Sequence, residues 1–310
     1  MQFLMSLLEL TVGSVELGLL YAIMALGVYL TYRILDFPDL TVDGSFTTGA
    51  GIAAGMIVAG YAPWYGTIVA FFGGLAAGAV TGLLHTKGKI NPLLSGILMM
   101  IALYTINYRI MGRPNIPLLN QETVFPDGEL FGMATYALIL APIVVLLIKL
   151  ALDWFLRTDL GMAVRATGDN GRMIRSFGVN TDRTIVIGVS LSNGLVAMAG
   201  SLVAQYQGFA DLQMGIGMIV VGLASVIIGE VLFGGMKSIA RATLAVVLGA
   251  VVYRVVIALS IRYGLEASDM KLMTALIVTV ALIVPLVQKR KRARAIGKKR
   301  SEELFGEAGR

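Results

Sequence analysis

Two clusters of side chains in this chain have types and spacing suited to chemistry. Asp36, Asp39 and Asp43 fall beside Pro38 and Ser45, and Arg157, Arg165, Arg172, Arg175 and Arg183 share one polar stretch with Asp159, Asp169 and Asp182. Both clusters lie between long apolar runs. Carboxylates beside a helix-breaking proline suit ion coupling or the lining of a polar path. An arginine-rich loop suits docking of a partner, or simply retention on one side of a membrane. Other chemistries are excluded. Cysteine is absent and His85 is the only histidine, so thiolate chemistry and multi-histidine metal sites are not expected. No phosphate-cradling G-x-x-x-x-G-K-[ST] stretch occurs, no H-E-x-x-H and no dinucleotide fingerprint. Ser190 and Ser225 have no histidine nearby to act as base. Neither a catalytic constellation nor a metal site is expected, and any nucleotide would have to be bound by another chain.

The elements that position these clusters are set by composition. Of 310 residues, 57% are hydrophobic and 14% are charged. Soluble domains average about 25% charged residues, so the chain reads as an all-α polytopic membrane protein. Apolar runs long enough to span a bilayer fall near 12–32, 45–62, 64–84, 91–112, 135–156, 184–206, 214–233, 239–260 and 270–288, with room for a tenth short or re-entrant helix. This gives one transmembrane domain over 1–288 and a basic tail over 289–310. No cleavable signal peptide is expected, since Met1–Leu10 lacks a basic start and runs directly toward the first span.

Charge assigns the sides. Nine spans put the termini on opposite faces, and the segments placed inside hold 19 of the 25 lysines and arginines. Segments 1–11, 61–63 and 207–213, placed outside, hold none. The amino terminus is therefore expected outside and the carboxyl terminus in the cytoplasm. The net charge of +6 follows from this asymmetry rather than from nucleic-acid binding.

In the aspartate cluster, Pro38 interrupts helix, and Asp43 or Ser45 is expected to cap the helix that follows. Two readings stand: a broken helix at membrane depth lining a path, or a cytoplasmic turn with solvated carboxylates. Phe37-Pro-Asp-Leu40 has an echo in Phe209-Ala-Asp-Leu212, placing Asp211 as the counterpart of Asp39. The two fall on opposite sides of the topology, as inverted repeats would arrange them. Gly74, Gly78 and Gly82 form one face for close helix packing, as do Gly51 and Gly55. Asn91 is expected to cap a helix with Pro92 in its first turn. Glu16, Arg109 and Lys149 are expected to snorkel toward span ends, Arg254 to lean toward the outer interface, and Glu230 to pair with Lys237 or Arg241. The outer loop over 113–135 carries Glu122, Asp127 and Glu129 and is long enough to meet an extracytoplasmic partner.

The arginine-rich stretch is longer than a simple turn. Its sequence predicts two short helices, Met162–Ala166 and Arg172–Phe177, separated by Gly168 and Gly171 and closed at Gly178, with Asp169 or Asn170 capping the second. Leu160-Gly161-x-x-x-Arg165-Ala166-x-Gly168-Asp169-Asn170, with Gly178-Val179 following, resembles the coupling loop of ABC-importer permeases of the branched-chain amino acid, ribose and nucleoside type. Residues 36–46 resemble that family's broken second helix, and Ile90–Gly96 its Pro-Pro-Phe-Ile helix start. The order departs from the family at Gly171–Ile174, where Pro, an acid and two alanines are common. The wording RATGDN followed by GVNTD is most similar to a less characterised branch, some of whose members are linked to aromatic amino acids.

The resemblance implies a permease of the bacterial plasma membrane that works as a pair, with inverted repeats in each copy. Its loop, over 157–183, would dock on a separate ATPase that binds ATP and Mg, and a periplasmic or lipid-anchored binding protein would deliver solute. Leu160, Gly161, Arg165, Ala166, Gly168, Asp169, Asn170 and Gly178 would serve coupling. Asp39, Asp43, Ser45, Asn91 and Asp211 would border the translocation path. A carrier that uses Asp39 and Asp43 for ion coupling, without ATP, is the alternative.

Overall fold

A computed structural model describes residues 2–125, 129–130, 134–233, 238–262, 272–276, 279 and 283, with side chains described from Thr11 onward except at 129–130 and 134–137. The basic tail, most of the last expected span, Asp127 and Lys237 lie outside the described residues. In chain order the elements are α1 (Gln2–Val28), a π-helical turn (Tyr29–Ile34), α2 (Thr41–Val58), α3 (Pro63–Thr86) and α4 (Pro92–Met111). Three short strands follow: β1 (Asn115–Pro117), β2 (Glu129–Leu130) and β3 (Ala134–Thr135). The chain continues through α5 (Tyr136–Phe155), α6 (Asp159–Ser176), α7 (Thr181–Gln207), β4 (Phe209–Asp211), α8 (Met218–Phe233) and α9 (Ile239–Arg262). β1 pairs antiparallel with β4, and β2 with β3.

Among the described residues, six helices are long and apolar enough to cross a membrane. Two expected spans look different. The span near 214–233 is the 16-residue α8, which begins only after an irregular stretch. The span near 45–62 is α2, which begins earlier, at Thr41, and is buried over most of its length. Its sequence, TVDGSFTTGAGIAAGMIV, is rich in hydroxyls and glycines because it contacts protein on every side. The single Thr48 hydroxyl proton lies between the Gly44 carbonyl of its own helix (2.9 Å) and Asn107 Oδ1 of α4 (2.7 Å). A side chain at Gly49 would strike the Ala197 carbonyl of α7. Small residues substitute here for the apolar driving force that helices lack among lipids.

The core is built from α1, α2 and α7. Leu20, Ile23, Met24 and Leu26 of α1 are fully buried with Phe46 of α2 and Val196 and Leu202 of α7. The glycine face of α3 packs on α7 as its spacing predicts. A side chain at Gly74 or Gly78 would meet the Asn193 or Val189 carbonyl, and one at Gly82 would come within 2.9 Å of Val186 Cα.

The bundle has two distinguishable ends. α6 lies across one, where Gly168 abuts the Ile34 carbonyl at the end of the π-helical turn. The β1–β4 ribbon lies at the other. Phe37 sits toward the α6 end, edge-on to His85 at 5.4 Å, while its counterpart Phe209 is in the ribbon.

Several sequence expectations about ionisable groups are corrected. Glu16 is buried and accepts the Tyr206 hydroxyl at 2.7 Å. Lys149 does not snorkel: it is buried and paired with Asp153 at 2.5 Å, and Asp153 also accepts the Thr243 hydroxyl at 2.7 Å. Glu230 pairs with Arg33, 2.8 Å away, and among the described residues makes no ion pair with Arg241; Lys237 lies outside them. Each is the outcome of desolvation: a charge inside apolar surroundings takes a partner, from its own helix for Lys149 and from another element for Glu16 and Glu230.

Candidate functional site

The aspartate cluster is organised by Asn193, in the middle of α7. Its amide nitrogen donates to Asp39 Oδ2 at 2.6 Å and to the Val189 carbonyl at 3.0 Å, and its amide oxygen accepts from Ser45 Oγ at 2.7 Å. Asp39 Oδ1 accepts the Thr41 amide at 2.8 Å, so Asp39 caps α2. The Thr41 hydroxyl in turn contacts that of Thr81 on α3 at 2.8 Å. Asp39, Ser45 and Asn193 are all buried. Neither Asp43 nor Ser45 caps α2, contrary to expectation, because the helix starts two residues before Asp43. The solvated-turn reading does not fit a carboxylate this enclosed. A buried charge is tolerated only when hydrogen-bonded, and Asp39 has both oxygens engaged.

Asp43 makes a different contact. Its Oδ2 accepts the Gly217 amide and its Oδ1 the Ile219 amide, each at 2.9 Å. It stands in the first turn of α2 and also caps the start of α8. Helix amino termini carry partial positive charge and unsatisfied N–H groups, so this carboxylate satisfies amides of α8 while its charge stands in the first turn of α2. Gly217 takes φ +87°, a left-handed conformation that suits glycine, to turn its N–H toward Asp43. A side chain at Gly215 would strike the Asp43 carbonyl. Two interrupted segments therefore meet in the interior.

Asn91 and Asp211 lie away from this junction. Asn91 caps α4 as predicted, its Oδ1 accepting the Leu93 amide at 3.0 Å. Asp211 is in the ribbon, where it accepts from the Gln213 amide at 2.8 Å and from Asn115 Nδ2 at 3.3 Å.

The arginine-rich stretch folds as an amphipathic helix. Thr158 caps it, accepting the Gly161 amide at 3.2 Å. Gly161, Val164 and Thr167 recur on the buried face, and the Thr167 hydroxyl meets that of Thr184 at 2.8 Å. The first helical segment runs further than predicted, through Gly168, which is a contact residue rather than a break. The break falls at Asn170 (φ −158°, ψ 85°), whose side chain caps the second segment by accepting the Met173 amide at 3.0 Å. Gly178, at φ +85°, follows the end of that segment. The opposite face is exposed and mixes apolar with basic groups: Leu160, Met173 and Phe177 are 56%, 54% and 73% exposed beside Arg157, Arg165 and Arg172. Asp169 and Asn170 are exposed and Ala166 is half-buried. Arg175 is exposed and reaches along the surface to Thr181, donating from Nε to its hydroxyl at 3.1 Å.

Asn193 was not singled out from the sequence. Asn193 is one polar letter within an apolar run, and only the cluster of Ser192, Asn193 and Gly194 marks the place.

The comparisons agree with this architecture. Residues 10–284 match the family described as branched-chain amino acid transport system / permease component. The chain is 46% identical over 265 residues to the tyrosine transport system permease protein of Clostridioides difficile (strain R20291), covering 86% of this chain and 88% of that one. It is 30% identical over 241 residues to an autoinducer 2 import system permease protein of Yersinia pestis (75% and 64% covered). It is 29% identical over 189 residues to the galactofuranose transporter permease protein of Escherichia coli (59% and 52% covered). No solved structure matches the chain. With nearly its whole length matched and its helices arranged around interrupted, polar interior segments, the chain belongs to the family of branched-chain amino acid transport system permease components.

Proposed function

We propose that the chain is the membrane-spanning permease subunit of an ATP-driven importer for a small polar solute, an amino acid of branched-chain or aromatic type. The observation that carries the ATP-driven part is the outward face of α6, where exposed Leu160, Met162, Met173 and Phe177 alternate with arginines on a helix whose other face is packed. Exposed apolar side chains rimmed by charge suit a protein partner. In this reading the partner is an ATPase subunit, which holds ATP and Mg. Gly161 and Gly168 seat the helix, Leu160, Arg165, Ala166 and Asp169 meet the ATPase, and Asn170 and Gly178 shape the second segment. Two copies of the chain flank one path, and an extracytoplasmic or lipid-anchored binding protein delivers solute. The membrane is the bacterial plasma membrane, with the amino terminus outside and the carboxyl terminus inside.

Asp39, Asp43 and Ser45 mark the midsection of the path, with Asn91 and Asp211 toward its two ends. The tyrosine permease relative supports an amino-acid solute and, within that class, an aromatic one. Uptake of labelled L-tyrosine by cells with and without the gene tests the reading. Loss of gene-dependent uptake under arsenate, with persistence under a protonophore while ATP is maintained, supports it. The reverse pattern supports an ion-coupled carrier.

A further inference from the structure

Half-helix amino termini inside transporters commonly receive anionic groups of the solute. Here the start of α8 already holds Asp43, so a carboxylate entering the bundle needs a cation elsewhere. Among the described residues, one cation inside the helices is uncommitted. Arg254 of α9 makes no salt bridge and donates no hydrogen bond there; its guanidinium lies 5.1 Å from the ring centre of Tyr21. Its position is built. A Cβ at Gly18 of α1 would stand 2.9 Å from Val251 Cα and 3.3 Å from Arg254 Cβ, so the absence of a side chain there lets α9 approach. Arginine within a membrane span is costly unless it serves a function or is paired, and the ring face meets only part of that cost.

Arg254 lines a cavity of about 320 Å³ between α1, α7 and α9, with Ser14, Leu17, Tyr206, Ile257 and Ile261 among its walls. The Tyr206 hydroxyl spends its one proton on Glu16 at 2.7 Å, which leaves the Arg254 guanidinium as the charged donor for an anion in this cavity. Small-ligand sites are commonly of this kind: about 300 Å³ or more, mostly apolar, with a few fixed polar groups.

We infer that this cavity is a binding site for an organic anion with an apolar body. The anionic group takes the free N–H donors of Arg254, and the body lies against Leu17, Ile257 and Ile261. The chemistry fits a solute carboxylate or the headgroup of an anionic lipid. The inference does not depend on ATP-driven import, since binding to the isolated chain requires no ATPase.

Titration of the purified full chain in phosphatidylcholine nanodiscs tests it, with 3-phenylpropionate and L-phenylalanine as carboxylates and phenethylamine as the amine control. The expected result is saturable binding of a carboxylate, none of the amine, and at least tenfold weaker binding in Arg254→Gln. Ala258→Trp, which fills the cavity while leaving the arginine, lowers binding as much, and an unchanged unfolding temperature shows that the variants are folded. If neither carboxylate binds but phosphatidylglycerol raises the unfolding temperature of the wild type and not of Arg254→Gln, the site stands with lipid as its ligand. No response to either anion, or binding indifferent to both substitutions, overturns it.

Discussion

The carboxylate of Asp43 lies 2.9 Å from the backbone nitrogen of Gly217, joining the first turn of α2 to the start of α8 across 174 residues of sequence. The contact links the two segments that interrupt the bundle, each preceded by a Phe-x-Asp-Leu stretch. Any motion that separates these segments must break two charge-assisted bonds, each stronger than a neutral hydrogen bond.

Asp43→Asn keeps the shape but removes the charge and turns one acceptor into a donor facing an N–H. We expect a loss of about 1–3 kcal/mol, the usual scale for a hydrogen bond left unmade, read as a lower unfolding temperature in detergent. Transport should fall further than stability alone accounts for. Asp43→Glu, which overfills the junction, should not restore it.

Asn193 holds Asp39 and Ser45 together. Asn193→Leu fits the volume but removes the donor to Asp39, leaving a buried carboxylate under-satisfied. The substitution should cost more than Ser45→Ala, since Ser45 forfeits one neutral bond. In a double-mutant cycle, Asp39→Asn combined with Asn193→Leu should cost less than the sum of the single losses, because no charge remains to be satisfied. Additive losses would show that the two side chains act independently.

The two glycines in α6 should respond oppositely. A Cβ at Gly168 would strike the Ile34 carbonyl, whereas at Gly171 it would meet nothing within 4 Å. Gly168→Ala should lift α6 from the π-helical turn and reduce coupled transport several-fold with the protein still inserted. Gly171→Ala should leave transport unchanged. Paired uptake assays on the two variants check both.

The buried Lys149–Asp153 pair ties α5 to α9 through Thr243. Lys149→Met strands a buried carboxylate and should cost about 3–5 kcal/mol, while Lys149→Met with Asp153→Leu should recover much of it. Thermal unfolding of the single and double variants measures the difference.

Features fixed by local chemistry were legible in the sequence. Asn91 and Asn170 cap helices because a side-chain oxygen near a helix start finds an amide two or three residues on, whatever the surroundings. The glycine face of α3 followed from spacing alone. Features that depend on distant partners were not legible. Asp43 lies two residues into α2 and looked like its cap, yet its amides come from α8. Glu230 had basic residues nearby in sequence, but folding gives it Arg33. Gly168 read as a breaker because isolated glycine disfavours helix, while its place in the bundle uses the missing side chain for contact. The true start of α2 was hidden by the charge of Asp43 in its first turn, which is accommodated because the helix is surrounded by protein.

The central claim is that the exposed face of α6 holds an ATPase. Its most direct test is purification of the tagged chain from native membranes under mild detergent, with identification of the chains that accompany it, for the wild type and for Leu160→Glu with Phe177→Glu. Both positions are exposed, so the double variant should insert and fold normally. The account predicts an ATPase subunit in stoichiometric yield with the wild type and its loss from the variant. An ATPase retained equally by both, or absent from the wild type while a known permease–ATPase complex survives the same procedure, would contradict it.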